Sequence, residues 1–321
     1  MPDDQAWMQA AAALAAHGRP LSAPNPAVGA IVVHEGRVVG RGYTQAGGRP
    51  HAEAGALAMA GPAARGATLY VTLEPCAHDS ARGPACADLV VAAGPARVVI
   101  GCTDPDPRTA GAGIARLRAA GIAVDVLDHA GARASLAGYL LRTRLGRPHV
   151  TLKLAMSLDG RIALATGESR WITGAQARAH VHAMRARADA ILVGGGTLRA
   201  DAPRLDVRLP GLAARSPERW VLTRGAAPAG WHAVADITAP GAFGTAQYLY
   251  VEGGAGAAAT FLAADLVDTL MIYRAPIVIG DGLAAIGAIG LDRLADAHDR
   301  WRPGTRQVLG SDTLDIYERI G

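Results

Sequence analysis

Cysteine is scarce in this chain of 321 residues: Cys76, Cys86 and Cys102 are the only three. So few thiols at this length argue against a disulfide framework and predict a reducing compartment. Lysine is scarcer still, since Lys153 stands alone among many arginines. Aromatic residues make up only 4% of the chain, and no block of Lys and Arg is interleaved with them, so no nucleic-acid partner is expected. Long apolar runs are missing as well. The alanine-rich stretch that ends at His17 is too short to span a bilayer, and the start is acidic where a signal peptide would be basic. These features predict a cytoplasmic protein with no membrane partner. The formal charge of +4 is small for this length and reads as surface composition.

What remains is a chain that is half apolar and rich in Gly and Ala, the profile of an α/β protein long enough for two cores. Strand-like runs at 28–33, 38–43, 69–73, 98–101 and 122–127 alternate with helix-like runs at 52–60, 88–93 and 114–120. This alternation predicts a mainly parallel sheet with helices on both faces. Composition shifts near Gly138 to Pro148, where an Arg-rich helix ends, which predicts two domains, 1–146 and 147–321. The second half restarts with a strand at 149–156 and a turn at Asp159-Gly160. A helix at 175–187 and a strand at 190–193 lead into Gly194-Gly195-Gly196-Thr197. A strand at 248–252 feeds Gly253-Gly254-Ala255-Gly256 and a helix to 264, and closing strands are predicted at 271–279 and 308–317.

The strongest chemistry lies in His51-Ala52-Glu53, followed by Pro75-Cys76 and then Cys86. One imidazole and two thiolates suit Zn2+, and three protein ligands leave a fourth position for water whose pKa the metal lowers toward neutrality. Glu53, two residues past a ligand near a helix start, can reach that water without binding the metal. Such a carboxylate shuttles the proton to departing ammonia in a hydrolytic deamination. Nine residues separate the cysteines, so the simple Cys-x-x-Cys form is not met, and a structural zinc or two inert thiols would also fit these residues. His78 is an alternative ligand or a substrate contact, and Cys102 reads as core. The glycine turns at 194–197 and 253–256 suit a cofactor phosphate but do not specify one. Arg185 and Arg208 are candidates for a phosphate clamp, and the solitary Lys153 suggests a site that needs an ammonium.

Taken together, several motifs resemble one family. They are Ala23-Pro24-Asn25-Pro26-Ala27-Val28-Gly29, His51-Ala52-Glu53, Leu73-Glu74-Pro75-Cys76-Ala77-His78 and Asp104-Pro105-Asp106-Pro107 with Ala110 to Ile114. The second half adds Lys153 to Gly160, Gly167 to Thr173 and Val251 to Ala255. The resemblance, over nearly the whole chain, is to the bacterial bifunctional riboflavin biosynthesis deaminase–reductases. It implies an α/β protein with an N-terminal cytidine-deaminase-like three-layer domain and a C-terminal dihydrofolate-reductase-like domain. The implied substrate is a small phosphorylated pyrimidine, 2,5-diamino-6-(ribosylamino)-4(3H)-pyrimidinone 5′-phosphate, which is deaminated and then reduced with NADPH from ribosyl to ribityl.

By this resemblance His51, Cys76 and Cys86 hold zinc, Glu53 moves the proton and Asn25 binds the pyrimidine, its amide offering both a donor and an acceptor. NADPH contacts are implied at Ala155, Trp171, Thr197, Asp201 and the turn that includes Gly254, Ala255 and Gly256. Ser169, Arg185, Leu205, Arg208 and Glu252 would face the substrate, and Lys153 would assist as hydride reaches the sugar C1′. A homo-oligomer, dimer or tetramer, is also expected. Three departures stand out. The cysteine loop is one residue longer than usual, Thr44 stands where the family usually has a histidine, and the passage from Trp231 to Glu252 leaves room for little more than a short connector and a strand. The last departure raises the possibility of a deaminase whose second half only binds or dimerises. A deaminase acting on tRNA adenosine would leave the second half unexplained, and a zinc scaffold without turnover would give Glu53 no use.

Overall fold

Strand β1 (Gly29–His34) sends its residues alternately into two cores, Ala30 and Val32 into one and Ile31 and Val33 into the other. A strand buried on both faces needs a layer on each side. The computed structural model, which describes residues 3–78 and 80–320, supplies both. Met1 and Pro2 of the acidic start lie outside the described residues. Chain contacts divide the protein into two units, Met1–Gly146 and Arg147–Gly321.

In the first unit α1 (Asp4–Ala15) and α5 (Ala130–Ser135) pack on one face of a sheet through Met8, Ala11 and Ala132. Helices α2 (Ala52–Ala60), α3 (Cys86–Ala93) and α4 (Ala112–Ala119) cover the other face through Ala56, Leu57, Val90 and Leu117, beside α6 (Ala137–Leu145). The sheet also contains β2 (Arg37–Tyr43), β3 (Thr68–Val71), β4 (Arg97–Ile100) and β5 (Ala123–Val126), in the order β2-β1-β3-β4-β5. It is mixed rather than mainly parallel. The turn at Glu35 and Gly36, both at positive φ, folds β2 back on β1, and β1 also runs antiparallel to β3. Only β3, β4 and β5 are mutually parallel.

Helix α2 lies unusually close to β2. A Cβ on Gly42 would stand 2.3 Å from the Ala52 carbonyl oxygen, and one on Gly40 2.1 Å from that of Ala56. Only glycine admits backbone-to-backbone contact at that distance, and the contact fixes the height of the helix start above the sheet.

The second unit is built on β6 (His149–Met156), β8 (Ala190–Gly194), β9 (Glu218–Leu222), β10 (His232–Val234), β11 (Tyr248–Val251), β12 (Thr269–Arg274), β14 (Trp301–Leu309) and β15 (Asp312–Arg319). A two-stranded pair, β7 (Arg161–Leu164) with β13 (Gly282–Ala284), stands apart. The main order is β10-β9-β8-β11-β6-β12-β15-β14, parallel as far as β12 and antiparallel beyond. Helix α7 (Ala175–Arg185) covers one face through Ala177 and Val181, and α9 (Ala255–Ala263) the other through Ala258 and Phe261. The short α8 (Gly195–Asp201) follows β8 directly.

The closing strands differ from expectation in two places. The first ends at Arg274, before Pro276, which has no N–H to give a ladder. The second is the return limb of a hairpin, because Gly310 at φ 72° breaks the run. Between β10 and β11 the described residues form no helix.

Candidate active sites

His51 caps the N-terminus of α2, which starts where Ala52 packs under Gly42. The cap position sends the imidazole outward toward the loop after β3, while Glu53, in the first turn, turns inward and is 3% exposed. Cys86 is the first residue of α3, and its backbone N–H donates to the Cys76 thiol at 3.3 Å. Two helix starts and one loop therefore converge. His51 Nδ1 lies 3.2 Å from Cys86 Sγ and 3.7 Å from Cys76 Sγ, and all three ligand atoms fall within 4.8 Å of one another. A tetrahedral zinc with ordinary Zn–N and Zn–S bonds sets its N and S ligands about 3.6 Å apart, so the donor set fits the metal in spacing and in chemistry. His78 is not in this cluster; its Nδ1 lies 3.4 Å from Thr109 Oγ1.

The electrostatics agree with a shared anionic centre. The hydrogen bond between the thiols, aided by His51, draws Cys76 down to about 4, while Cys86 is pushed up by the same bond and by burial. Burial lifts the Glu53 carboxyl to about 7, with His51 opposing. The Asn25 amide nitrogen is 3.3 Å from His51 Nε2 and 3.1 Å from the Gly48 carbonyl, so Asn25 borders the ligand as well as the cavity.

That cavity, about 250 Å³, lies over the cluster and includes Asn25, Thr44, Glu53 and His78 in its wall. Thr44 is buried, and its hydroxyl accepts from the Val28 N–H at 3.0 Å. The side chain standing at the family's histidine position is thus engaged with the backbone. Residues overlooked in the sequence complete the wall. Glu74, 2% exposed, accepts from the N–H groups of Asp104, Gly111 and Ile114, and Asp104 accepts from Tyr139 and from the Asp106 N–H. These bonds fix the loop from 104 to 111 at the start of α4. Its sequence signal was the motif of two Asp-Pro steps followed by Ala110 to Ile114, which assigned no role to Asp104. Arg49, Arg82 and Arg108 bring positive charge to the same cavity.

The second unit gathers a different set. Val251 pairs with Leu152 across parallel β11 and β6, so the next residues, Glu252 and Lys153, sit side by side where β11 ends. Arg185, in the last turn of α7, reaches them. Its Nε and Nη2 donate to the Glu252 carboxylate at 2.6 and 2.9 Å, and Lys153 Nζ stands 3.9 Å from Glu252 Oε2. Burial pushes Lys153 below the usual ammonium range, Glu252 opposes that, and Arg185 adds to it. Burial would raise Glu252, but Lys153 and Arg185 together hold it low.

Arg185 Nη1 and His182 both contact the Asp206 carbonyl, and the Arg208 N–H is 3.3 Å from His182 Nδ1. The segment carrying Leu205 (buried, at φ 54°) and Arg208 is thereby tied to α7. His182 and Asp206 were not singled out from the sequence, although His182 lies three residues from Arg185, on the same helical face.

Thr197 Oγ1 accepts from the Gly254 N–H at 3.2 Å, which ties α8 to the turn before α9. A Cβ on Gly253 would fall 2.4 Å from the Ala257 Cβ, so that turn packs as closely as glycine allows, whereas a Cβ on Gly196 or Gly256 would meet nothing within 4 Å. Ala255 and Gly256 open α9, and Asp201, at the end of α8, accepts from Arg170 through its carbonyl. Trp171 is 66% exposed under the Arg178 guanidinium, 4.7 Å from its ring centre. Ala155 sits on β6, and Ser169 is half-buried beyond β7. Among the described residues no hydrogen bond or ion pair joins Ala155, Ser169 or Trp171 to the Lys153–Glu252–Arg185 group.

A different known family matches part of each unit. Residues 1–102 match the cytidine and deoxycytidylate deaminase zinc-binding region, and residues 148–238 and 243–313 match the RibD C-terminal domain. The riboflavin biosynthesis protein RibD of Escherichia coli K12 is 38% identical, over 92% of this chain and 94% of its own; that of Haemophilus influenzae is also 38% identical, over 99% and 98%. Among solved structures, Acinetobacter baumannii RibD superposes with a TM-score of 0.87 at 34% identity, covering 99% of both chains. A Thermotoga maritima deaminase/reductase gives 0.88 at 30%, with the same coverage.

Fold and sites together define a bifunctional enzyme, a zinc-dependent deaminase joined to an NADPH-dependent reductase. Within 148–313 the family match pauses only at 239–242, in the short connector before β11, so a second half that merely binds or dimerises is not favoured. The chain belongs to the RibD family of riboflavin biosynthesis proteins.

Proposed function

We propose that the first unit deaminates 2,5-diamino-6-(ribosylamino)-4(3H)-pyrimidinone 5′-phosphate and that the second reduces the ribosyl group of the product to ribityl. The observation that carries this reading is the convergence of His51, Cys76 and Cys86 beside buried Glu53, in a chain whose other half joins half-buried Lys153 and Glu252 to buried Arg185. His51, Cys76 and Cys86 would hold the zinc, which supplies Lewis acidity that brings the pKa of a bound water toward neutrality. Glu53 takes the proton from the attacking water and delivers it to the departing ammonia. Asn25 borders both His51 and the cavity, a position that orients the ring of the ligand and the pyrimidine together.

In the reductase unit the Thr197–Gly254 junction and the open surface at Gly196 and Gly256 suit a nucleotide phosphate, and Ala155, Trp171 and Asp201 would complete the NADPH site. NADPH supplies the hydride. Lys153, held beside Glu252, would donate the proton that O4′ takes up as the C1′–O4′ bond opens. Arg185 and Arg208 face the phosphate, while Ser169, Leu205 and Glu252 shape the pocket. The substrate is a small molecule. Among the described residues no helix is long and apolar enough to cross a membrane. We place the enzyme in the cytoplasm as a homo-oligomer.

The assignment of residues is tested by supplying the deaminated aminouracil directly. A Glu53→Ala chain should release no ammonia from the first substrate yet oxidise NADPH with the second, and Lys153→Arg should do the reverse. Full NADPH oxidation by Lys153→Arg would remove Lys153 from the mechanism.

A further inference from the structure

Among the described residues four carboxylates stand in the wall of the deaminase cavity: Glu53, Glu74, Asp104 and Asp106. Three are already engaged. Glu53 serves the proton transfer, Glu74 accepts from three backbone N–H groups, and Asp106 takes the Arg108 guanidinium on both of its oxygens. We propose that Tyr139 is a positioning residue of the deaminase, holding Asp104 so that one carboxylate oxygen is free to accept an N–H of the bound pyrimidine ring. The proposal deepens the deaminase reading and rests on it.

Tyr139 is the one described residue of α6 in that wall. Leu136, at the helix cap, and Leu140 are buried in the core of the first unit, and the Tyr139 ring packs against the same core. Its hydroxyl donates to Asp104 Oδ1 at 2.7 Å, and the Asp106 N–H donates to the same oxygen at 2.9 Å. Both bonds end on Oδ1. Oδ2 accepts nothing among the described residues, yet it is not sealed in the core. The backbone beneath is fixed as well. The Asp104 N–H donates to Glu74 Oε2 at 3.3 Å, and a Cβ on Gly113 would fall 2.1 Å from the Pro75 carbonyl oxygen and 3.2 Å from Glu74 Oε1. The loop therefore has no room to settle toward Glu74, and the direction of Oδ2 is left to the tether from Tyr139.

Charge points the same way. Burial pushes the Asp104 carboxyl up, and the Asp106 and Glu74 charges add to that, while the Asp106 N–H and the Tyr139 hydroxyl oppose it. Arg108, the cation of the same loop, is paired with Asp106. Burial and the Asp104 charge push the Tyr139 phenol up in turn, so it stays a donor. A phenol that donates to a carboxylate makes a charge-assisted bond, stronger than its neutral counterpart. A diaminopyrimidine offers amino and ring N–H donors, for which a free carboxylate oxygen is the complementary acceptor. Without the phenol one side-chain tether remains, and the carboxylate is free to rotate away from them.

The test is steady-state ammonia release by the zinc-loaded full chain, for wild type, Tyr139→Phe, Asp104→Asn and the double variant. A hydrogen bond to a charged group is worth about tenfold or more in affinity. Tyr139→Phe keeps its ring in the core, so it should raise KM by about that factor while kcat, zinc content and Tm hold. Asp104→Asn keeps an oxygen for the phenol but turns an amide NH2 toward the ring, so its KM should rise at least as much. Adding Tyr139→Phe to Asp104→Asn should then cost little further, because Tyr139 acts through Asp104. Free 2,5,6-triaminopyrimidin-4-one, which has the ring donors but neither ribose nor phosphate, should inhibit Tyr139→Phe about tenfold less strongly than wild type. Unchanged KM in either single variant, fully additive losses, or equal inhibition by the free ring would overturn the proposal. A fall in zinc content or kcat that matches the rise in KM would overturn it too, since that marks a structural role. Wild type that releases no ammonia would instead overturn the deaminase reading beneath it.

Discussion

Replacing Glu252 by glutamine isolates what the buried carboxylate does for the two cations beside it. Glu252 is 9% exposed, takes two hydrogen bonds from Arg185 and faces Lys153 at 3.9 Å. Removing one partner from a buried ion pair costs about 3–5 kcal/mol. Glutamine still offers an oxygen to Arg185, which places the loss near the low end, about 3 kcal/mol. For a unit of this size that lowers Tm by roughly 6–12 °C.

The second consequence is electrical. Glu252 is the group that opposes the lowering of Lys153 by burial and by Arg185, so its loss drops that amine further. A lysine whose folded pKa lies below its ordinary 10.5 makes stability rise with pH across the interval between the two values, because the unfolded chain binds the extra proton there. The part of the Glu252→Gln destabilisation that acts through Lys153 should therefore shrink as pH rises from the variant's lower Lys153 pKa to the parent's, and its NADPH oxidation should shift toward acid, where Lys153 is still protonated. Melting curves and initial rates from pH 6 to 10 measure both. Ammonia release from the deaminase unit is the internal control and should not change. An unshifted rate profile together with an unchanged Tm would refute the claim that Glu252 holds Lys153 charged.

Three further outcomes follow from the deaminase unit. Chelating the zinc should abolish ammonia release and leave NADPH oxidation of the deaminated intermediate intact, measured by the two assays in parallel. Glu53→Gln should retain metal by atomic absorption and lose about 10²–10⁴-fold in deamination; metal loss would make Glu53 a ligand instead. Gly42→Ala should destabilise the first unit by about 1–3 kcal/mol or more in denaturant titration and lower zinc content, since its Cβ would press on the Ala52 carbonyl beside His51. An alanine variant as stable as the parent would show that α2 does not rest on β2 as described.

Legibility in the sequence followed the range of the interactions. Residues His51 and Glu53 were readable because a two-residue spacing at a helix start fixes both directions, and Pro75-Cys76 with Cys86 supplied ligand types with few other uses. The strand at 149–156 was readable from its apolar pattern, and it runs His149–Met156 in the fold. Strand direction was not, because β1 is apolar throughout, as a parallel strand would be, while its neighbours run against it. Helix α1 was passed over because alanines make up half of it and blur its apolar period. The pairing of Arg185 with Glu252 joins residues 67 positions apart, and only the register of β11 on β6 brings Lys153 to them. Glu74 lay inside a quoted motif, but its role was not readable, since its partners are backbone N–H groups, which every residue but proline owns.

The central claim is that one chain performs both reactions on one substrate. The most direct measurement is the ratio of ammonia released to NADPH oxidised when purified, zinc-loaded protein is given the diaminopyrimidine ribosyl phosphate. The account predicts a ratio near one at completion. Ammonia without NADPH oxidation would contradict it for the reductase half, and neither signal would contradict it altogether.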